Sequence, residues 1–422
     1  MFRQGGSAGS AYVARNCRMI WYVLIVIEHT KALAQIFSKL RNKVEEYMEF
    51  RDLRKQYQVL EKQMNSAMIQ AVSDGHYIMG KQVLELEEIL ADYVGVKHCI
   101  SCGNGTDALL LALMAWGVQK GDAVFVPDFT FFASAEVVAA LGATPIFVDV
   151  DMSTYNLDPH KLEVAILETR KRTSLTPKAV VAVDLFGQPA DYERIRKIVT
   201  QYGLLLLEDG AQGFGGRIDD RKACSFGDMA TTSFFPAKPL GCYGDGGAIF
   251  TDHDEWAQIL RSLRVHGKGT DKYDNIRIGM NSRLDTIQAA ILLVKFEAFN
   301  QYELREVNRV AEQYRRLLPD TVIQPMVPEG YVSSWAQYTI QLGNKSERDA
   351  LQAYLKEQEI PSMVYYPKPM HCQTAFQHIQ DGMEYPVTDR LCSTVLSLPI
   401  HPYMSEEEII RVSTAIQSFI TR

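Results

Sequence analysis

At 422 residues the chain exceeds what one hydrophobic core usually organises, so two packed portions are expected. Its 47% hydrophobic, 10% aromatic and 23% charged residues match folded globular proteins and exclude disordered and fibrous classes. With 44 basic against 51 acidic residues, a net charge of -7 and no long single-sign run, it lacks the basic footprint of a nucleic-acid binder.

Residues 1–47 are set apart as an N-terminal extension of unknown role. Within them, residues 19–27 form an apolar run behind Arg15 and Arg18, too short to span a bilayer. The run has the length of a signal-peptide core, and Ala32-Leu33-Ala34 resembles a cleavage site. An added helical segment, or upstream sequence ahead of Met48 as the working start, is the simpler reading. From residue 49 to about 72 the spacing of Leu53, Tyr57, Leu60, Met64 and Met68 predicts an amphipathic helix, and 83–94 predicts another. Short apolar runs at 98–101, 123–127, 145–150, 179–185 and 204–208 then alternate with helical stretches. That alternation predicts a mainly parallel sheet flanked by helices. Further strands are expected at 230–235 and 247–251, followed by long helical patterns through about Leu318. A large domain is expected over 48–299. A smaller α+β domain is expected over 300–422, with strands at 336–342 and 363–366 and helices at 346–358 and 406–420.

Seven cysteines, of which only Cys99 and Cys102 form a C-x-x-C pair, complete no zinc set and fit a reducing, cytoplasmic setting. Neither a metal nor a membrane partner is expected.

Three segments carry chemistry. In Ser101-Cys102-Gly103-Asn104-Gly105-Thr106-Asp107-Ala108 a strand runs into a Gly-rich turn and a helix, whose free N–H groups and dipole can hold a phosphate. The spelling also fits a dinucleotide fingerprint, with Asp128 downstream, and Asn104 or Thr106 acting as an ordinary cap explains it too. In Glu208-Asp209-Gly210-Ala211-Gln212 an acid ends a buried strand, where open α/β sheets bind ligands. Asp209 there suits a magnesium ligand, a cap or the partner of a ring nitrogen, and Gln212 faces the same side if a helical turn follows. In Phe234-Phe235-Pro236-Ala237-Lys238-Pro239-Leu240-Gly241 a lysine lies between two prolines in an apolar stretch. Desolvation there would lower the amine's pKa and make it a nucleophile able to form a Schiff base with an aldehyde cofactor, while the glycines let the backbone turn close to it; a surface-loop lysine is the alternative for this segment read by itself.

Taken in order, N-G-T-D-A-L, P-D-F-T-F-F-A, D-L-F-G-Q, E-D-x-A-Q, T-S-F-F-P-x-K-P-L-G-x-x-G-D-G-G-A and G-M-N-S-R-L-D-x-x-Q-A-A resemble the DegT/DnrJ/StrS-type family of pyridoxal-phosphate (PLP) dependent nucleotide-sugar aminotransferases. The resemblance runs from about residue 48 to the C-terminus. It implies an α/β, aspartate-aminotransferase-like (PLP fold type I) architecture: a mainly parallel sheet domain with a smaller C-terminal α+β domain. It also implies a homodimer with shared active sites. Lys238 would be the catalytic Schiff-base lysine and proton carrier, Asp209 would pair with the pyridine nitrogen, and Gln212 would contact the phenolic oxygen. Gly105, Thr106, Asp107 and the Ser233 hydroxyl would hold the cofactor phosphate, and Phe131 would stack on the ring. Asn281 would reach the phosphate in the neighbouring subunit. Arg283 suits a sugar carboxylate, with a surface ion pair as its bland alternative. Tyr365 and Tyr366 fall on the substrate side, Tyr365 standing where some relatives carry His. Gly210 stands where many have Ala, which reads as a loosened backbone.

The implied reaction moves an amino group from an amino-acid donor, glutamate by family analogy, to a keto-sugar nucleotide that feeds surface polysaccharide or glycan assembly. N-S-R-L-D-T-I-Q-A-A-I-L-L and S-x-x-A-Q-Y-T resemble members acting on UDP-linked 3-keto-2-acetamido hexuronic acids. A 4-keto-6-deoxy sugar is the rival substrate, and a non-catalytic PLP-binding sensor is the alternative from another class. A nicotinamide dehydrogenase would leave the Lys238 segment without a purpose, and Lys238 argues against the dehydratases that carry His in its place.

Overall fold

The computed structural model describes residues 48–271, 273–379 and 382–421, so the readings made for residues 1–47 lie outside the described residues. Helix α1 (Leu53–Ser73) starts at Asp52, whose side chain accepts the Lys55 N–H at 2.7 Å. This cap moves the start past residue 49, where apolar spacing alone had placed it. Helix α2 (Lys81–Val94) ends at Gly95, which takes a left-handed conformation (φ 86°). There follow β1 (His98–Cys102), α3 (Gly105–Ala115), β2 (Asp122–Pro127), α4 (Ala133–Ala140), β3 (Thr144–Val148), α5 (Pro159–Arg172), β4 (Thr176–Val183), α6 (Tyr192–Tyr202) and β5 (Leu205–Asp209). Two short strands, β6 (Arg217–Ile218) and β7 (Arg221–Lys222), precede β8 (Met229–Ser233) and β9 (Gly247–Thr251).

These strands build a seven-stranded sheet in the order β1-β9-β8-β5-β4-β2-β3. From β8 to β3 every neighbouring pair is parallel. Strand β9 runs antiparallel to both β8 and β1, so the mainly parallel sheet carries one reversed strand. Phe125, Val180 and Leu206 are fully buried, as expected of strands covered on both faces. The carboxyl ends of β5, β4 and β2 therefore open on one edge, the edge that bears Asp209.

The helical pattern expected to run through Leu318 is interrupted. Helix α7 (Asp254–Leu263) ends, residues 264–285 form no helix, and α8 (Thr286–Ala298) then passes through a π turn at Phe299–Glu303 into α9 (Leu304–Leu317). Within the break Gly267 sits at φ +69°, packed so closely that a Cβ there would lie 1.9 Å from the Arg277 carbonyl oxygen. Phe299, the expected end of the large domain, opens the π turn, and Glu49–Arg422 forms one compact unit.

In the C-terminal part, β10 (Tyr331–Val332) completes a three-stranded sheet with β6 and β7. Strand β11 (Tyr338–Gln341) is followed by α10 (Lys345–Glu357), α11 (Pro386–Thr394), β12 (Val395–Leu398) and α12 (Glu406–Ile420). The strand expected at 363–366 does not form. Met363 makes a single bridge to Ser397, and Pro361 and Pro367 on either side bring no N–H to a ladder. The strand beside β11 is β12, which the sequence reading did not foresee. Among the described residues no helix is long and apolar enough to cross a membrane.

Candidate active site

Strand β5 delivers Asp209 to the ligand edge of the sheet. The side chain is buried and accepts a hydrogen bond from Ser134 Oγ at 2.7 Å and another from the Ala211 N–H at 3.2 Å. Burial pushes its carboxyl above the usual carboxylate range, opposed by the Ser134 hydroxyl, the Ala211 N–H and the charge of Lys238. Residues 211–215 form turns and not a helix, so Asp209 caps no helix there.

Lys238 comes from a separate turn after β8, closed by its own N–H to the Phe235 carbonyl at 2.9 Å. A Cβ on Gly241 would sit 2.5 Å from the carbonyl oxygens of both Phe235 and Pro236, so only glycine lets the turn fold this tightly. Burial pushes the Lys238 amine down to about 8, with Asp209 raising it and Arg51 lowering it further. Two segments some thirty positions apart thus present an amine and a buried acid that feel each other's charge.

The Gly-rich turn lies against the same edge. Asn104 caps α3, its side chain accepting the Asp107 N–H at 2.8 Å, which is the bland reading of that position. The cap leaves the Gly105 and Thr106 N–H groups, first in the helix, with no hydrogen-bond acceptor among the described residues. A Cβ on Gly105 would lie 2.7 Å from Ser233 Cβ, so Ser233 is pressed against the start of α3. Two open N–H groups, a hydroxyl and a helix N-terminus match the needs of a phosphate. Asp107 itself is engaged, accepting from Ser282 Oγ at 2.6 Å.

Gln212 is held at both ends of its amide: Oε1 accepts the Phe186 N–H at 2.6 Å and Nε2 donates to the Tyr366 hydroxyl at 3.0 Å. The Tyr366 ring lies 6.2 Å from Phe131 and 5.7 Å from Tyr365. Phe131 is 56% exposed, with a flat face open to a ligand. Lys238, Asp209, Gln212, Phe131, Tyr366, Ser233 and the Gly-rich turn thus frame one site, with Tyr365 at its rim.

Among the described residues no contact brings Asn281 or Arg283 to this site. Asn281 is exposed, and Arg283 lines an open groove with His266, Lys268, Asn275 and Arg277. Between them Ser282 is buried, donating to Asp107 and accepting the Gly103 N–H at 2.9 Å. The loosened backbone expected at Gly210 is not found. Its N–H donates to the Thr231 carbonyl at 2.8 Å, its carbonyl accepts from Thr232 Oγ1 at 3.0 Å, and a Cβ would meet Cys224 Sγ at 2.7 Å. Glycine is needed there because the cysteine sulfur fills the space an alanine methyl would take. Asp128, the dinucleotide-motif acid, is bound to His371 through Nδ1 at 2.6 Å and the backbone N–H at 2.7 Å, which occupies both its carboxylate oxygens.

Sequence reasoning missed Ser134, Ser282 and Arg51. Ser282 had a signal, since alternation in an extended segment turns it opposite to its neighbours. Ser134 and Arg51 had none, because each meets its partner across more than 70 positions.

The model of the DegT/DnrJ/EryC1/StrS aminotransferase family matches residues 58–417. The UDP-2-acetamido-2-deoxy-3-oxo-D-glucuronate aminotransferase of Pseudomonas aeruginosa is 44% identical over 370 residues, 87% of this chain and 99% of that protein. A pleiotropic regulatory protein of Geobacillus stearothermophilus is 41% identical over 374 residues, 87% of this chain and 97% of its own. The crystal structure of a DegT DnrJ EryC1 StrS aminotransferase from Brucella abortus superposes with a TM-score of 0.87 at 48% identity, covering 89% of this chain and all of that one. A shared fold, a shared order of motifs and a match over most of the chain place it in one group: this protein belongs to the DegT/DnrJ/EryC1/StrS aminotransferase family.

Proposed function

We propose that the chain is a PLP-dependent aminotransferase that moves an amino group from glutamate to a UDP-linked 3-keto-2-acetamido hexuronic acid. The observation that carries this reading is the presence at one site of the Lys238 amine, lowered to about 8, and the buried carboxyl of Asp209 at the end of β5, each of which feels the other's charge. The donor set fits PLP: an amine for its aldehyde, an acid for its ring nitrogen, open N–H groups for its phosphate and an aromatic face for its ring.

When bound, PLP supplies an electrophilic carbon and an electron sink. Lys238 Nζ would move a proton between the cofactor and the amino-bearing carbon, off that of the donor in the first half-reaction and onto that of the sugar in the second. Asp209 holds a proton on the ring nitrogen, in a pocket where burial strengthens the pairing. The Gly105 and Thr106 N–H groups and Ser233 Oγ bind the phosphate. Phe131 covers the ring and excludes water, and Tyr366 keeps Gln212 oriented. Arg283 and Asn281 act on the site of a second copy in a homodimer, Arg283 gripping the sugar carboxylate with its forked donors. The division at residue 299, a cytoplasmic location and a role in surface glycan assembly belong to the same proposal.

The regulatory name of the Geobacillus relative favours a second reading, a PLP-binding sensor without turnover. Retention of both Lys238 and Asp209 in one site favours the enzyme. An absorbance scan of the protein supplied with PLP is expected to show a visible band that glutamate bleaches, and that Lys238→Ala lacks or alters. Addition of the 3-keto sugar nucleotide should then restore the band and yield an amino sugar. No band in the native protein sinks the proposal. A band that glutamate bleaches but no keto sugar restores supports the sensor, and an amine at C4 supports the 4-keto-6-deoxy rival.

A further inference from the structure

The turn that carries Lys238 is gripped from outside the sheet. Arg51, in the segment that leads into α1, donates through Nη2 to the Lys238 carbonyl at 2.9 Å and to the Pro239 carbonyl at 3.5 Å. The segment is anchored nearby: the Phe50 carbonyl accepts the Ile400 N–H at 3.3 Å, and the Phe50 ring lies 6.1 Å from Tyr365. We propose that Arg51 is a positioning residue for Lys238, clamping the backbone of its turn and fixing a cation on the carbonyl of the same residue. The inference rests on reading Lys238 as the reactive amine.

The surroundings keep that cation in place. Glu303 is buried and offsets the charge of Arg51, while itself accepting from Gln56 Nε2 at 2.8 Å and from the Tyr403 hydroxyl. Burial lowers Arg51 to about 10, so it stays charged at neutral pH. His401, buried with neither ring nitrogen hydrogen-bonded among the described residues, is held neutral by burial and by Arg51 and Lys55. Lys295 is lowered by burial and by Arg51, with Glu303 raising it. Against Lys238 itself stand Asp209, which favours the ammonium, and Arg51, which disfavours it. The clamp thus acts on both the place and the proton of the amine. No short-range motif announces this, because the contact spans 187 positions.

The test reads Lys238 without cofactor. The full-length protein, freed of PLP, is trace-labelled with acetic anhydride across pH, and acetylation of Lys238 is measured by mass spectrometry of its peptide. The native midpoint is expected near 8. Arg51→Gln keeps a donor to the carbonyls and removes the charge, and should raise the midpoint by about one unit. Arg51→Lys keeps the charge and should leave the midpoint near the native value. A Gln variant with an unmoved midpoint, or a Lys variant that moves as far as Gln, overturns the proposal. Arg51→Met replaces the Gln variant if circular dichroism shows that Gln does not fold, under the same criterion. A native protein that gives no visible band with PLP defeats the aminotransferase reading while leaving the midpoint comparison intact.

Discussion

Replacing Gly105 with alanine tests how tightly the phosphate turn is built. The added methyl would lie 2.7 Å from Ser233 Cβ, 3.1 Å from Ser233 Oγ and 3.2 Å from Ser233 Cα, so a backbone must give way as well as a side chain. Neither partner has room to yield. Gly247 of β9 already approaches so closely that a Cβ on it would stand 2.5 Å from the Asn104 carbonyl oxygen. Overpacking of this kind costs about 1–3 kcal/mol. If the strain falls on the phosphate-binding geometry, affinity for PLP drops by about 5- to 150-fold, at about 1.4 kcal/mol per tenfold. If instead the turn relaxes before binding, the loss appears as stability. With unfolding entropy of about 2.1 cal/mol/K per residue over Glu49–Arg422, each kcal/mol is worth about 1.3 °C in Tm. Titration of the PLP-free protein by absorbance, with a melting curve on the same sample, separates the two. Adding Ser233→Gly to the alanine variant removes the clashing methylene and should restore part of the lost affinity despite losing a hydroxyl. A Gly105→Ala variant with affinity within twofold of native and an unchanged Tm would refute the close approach of α3 to β8.

Two stability predictions follow from buried charge. Glu87 and Arg264, both almost fully buried, pair directly. Glu87 also accepts the Ser101 N–H at 2.9 Å and the Ser101 Oγ–H at 2.7 Å, tying α2 to the end of β1. Glu87→Gln should cost about 3–5 kcal/mol, a fall of about 4–6 °C, while Glu87→Met with Arg264→Met should recover much of it, because a lone buried cation is worse than none. A double variant no more stable than Glu87→Gln contradicts this account. The second prediction concerns Glu208, which burial pushes up to about 7 although Cys224, Phe226 and Gly227 donate backbone N–H bonds to it. The folded state thus holds a proton that the unfolded chain releases near 4.5, so this stability is complete below that pH and is lost as pH rises through about 7. Over that window Glu208 and the buried Asp184 beside it, whose carboxyl is raised as well, should make the stability of the native protein fall more steeply than that of Glu208→Gln, by up to about 1.4 kcal/mol per pH unit. Parallel curves would show that Glu208 is already ionised in the folded state.

What short stretches of sequence determine here is the chemistry of individual positions. A lysine between Pro236 and Pro239 and ahead of Gly241 points to a tight turn, and an acid closing the apolar run of β5 falls at the edge where parallel sheets bind ligands. Strand period and glycine placement act over a few residues, so the turn around Lys238, the place of Asp209 at a strand end and the Gly-rich turn into α3 were legible. The two-strand sheet of β11 and β12 was not, because local pattern favoured 363–366 and the prolines around it acted only through the ladder they could not join. Nor was the break around Gly267, where the Arg277 carbonyl comes close. Tertiary structure alone decided that Ser134 donates to Asp209, that Ser282 ties Asp107 to Gly103, that Cys224 demands glycine at 210, and that Arg51 grips the lysine turn. Each of these depends on a distance of about 3 Å between residues far apart in the chain, and a hydrogen bond or a packing clash is decided at that range whatever the sequence separation.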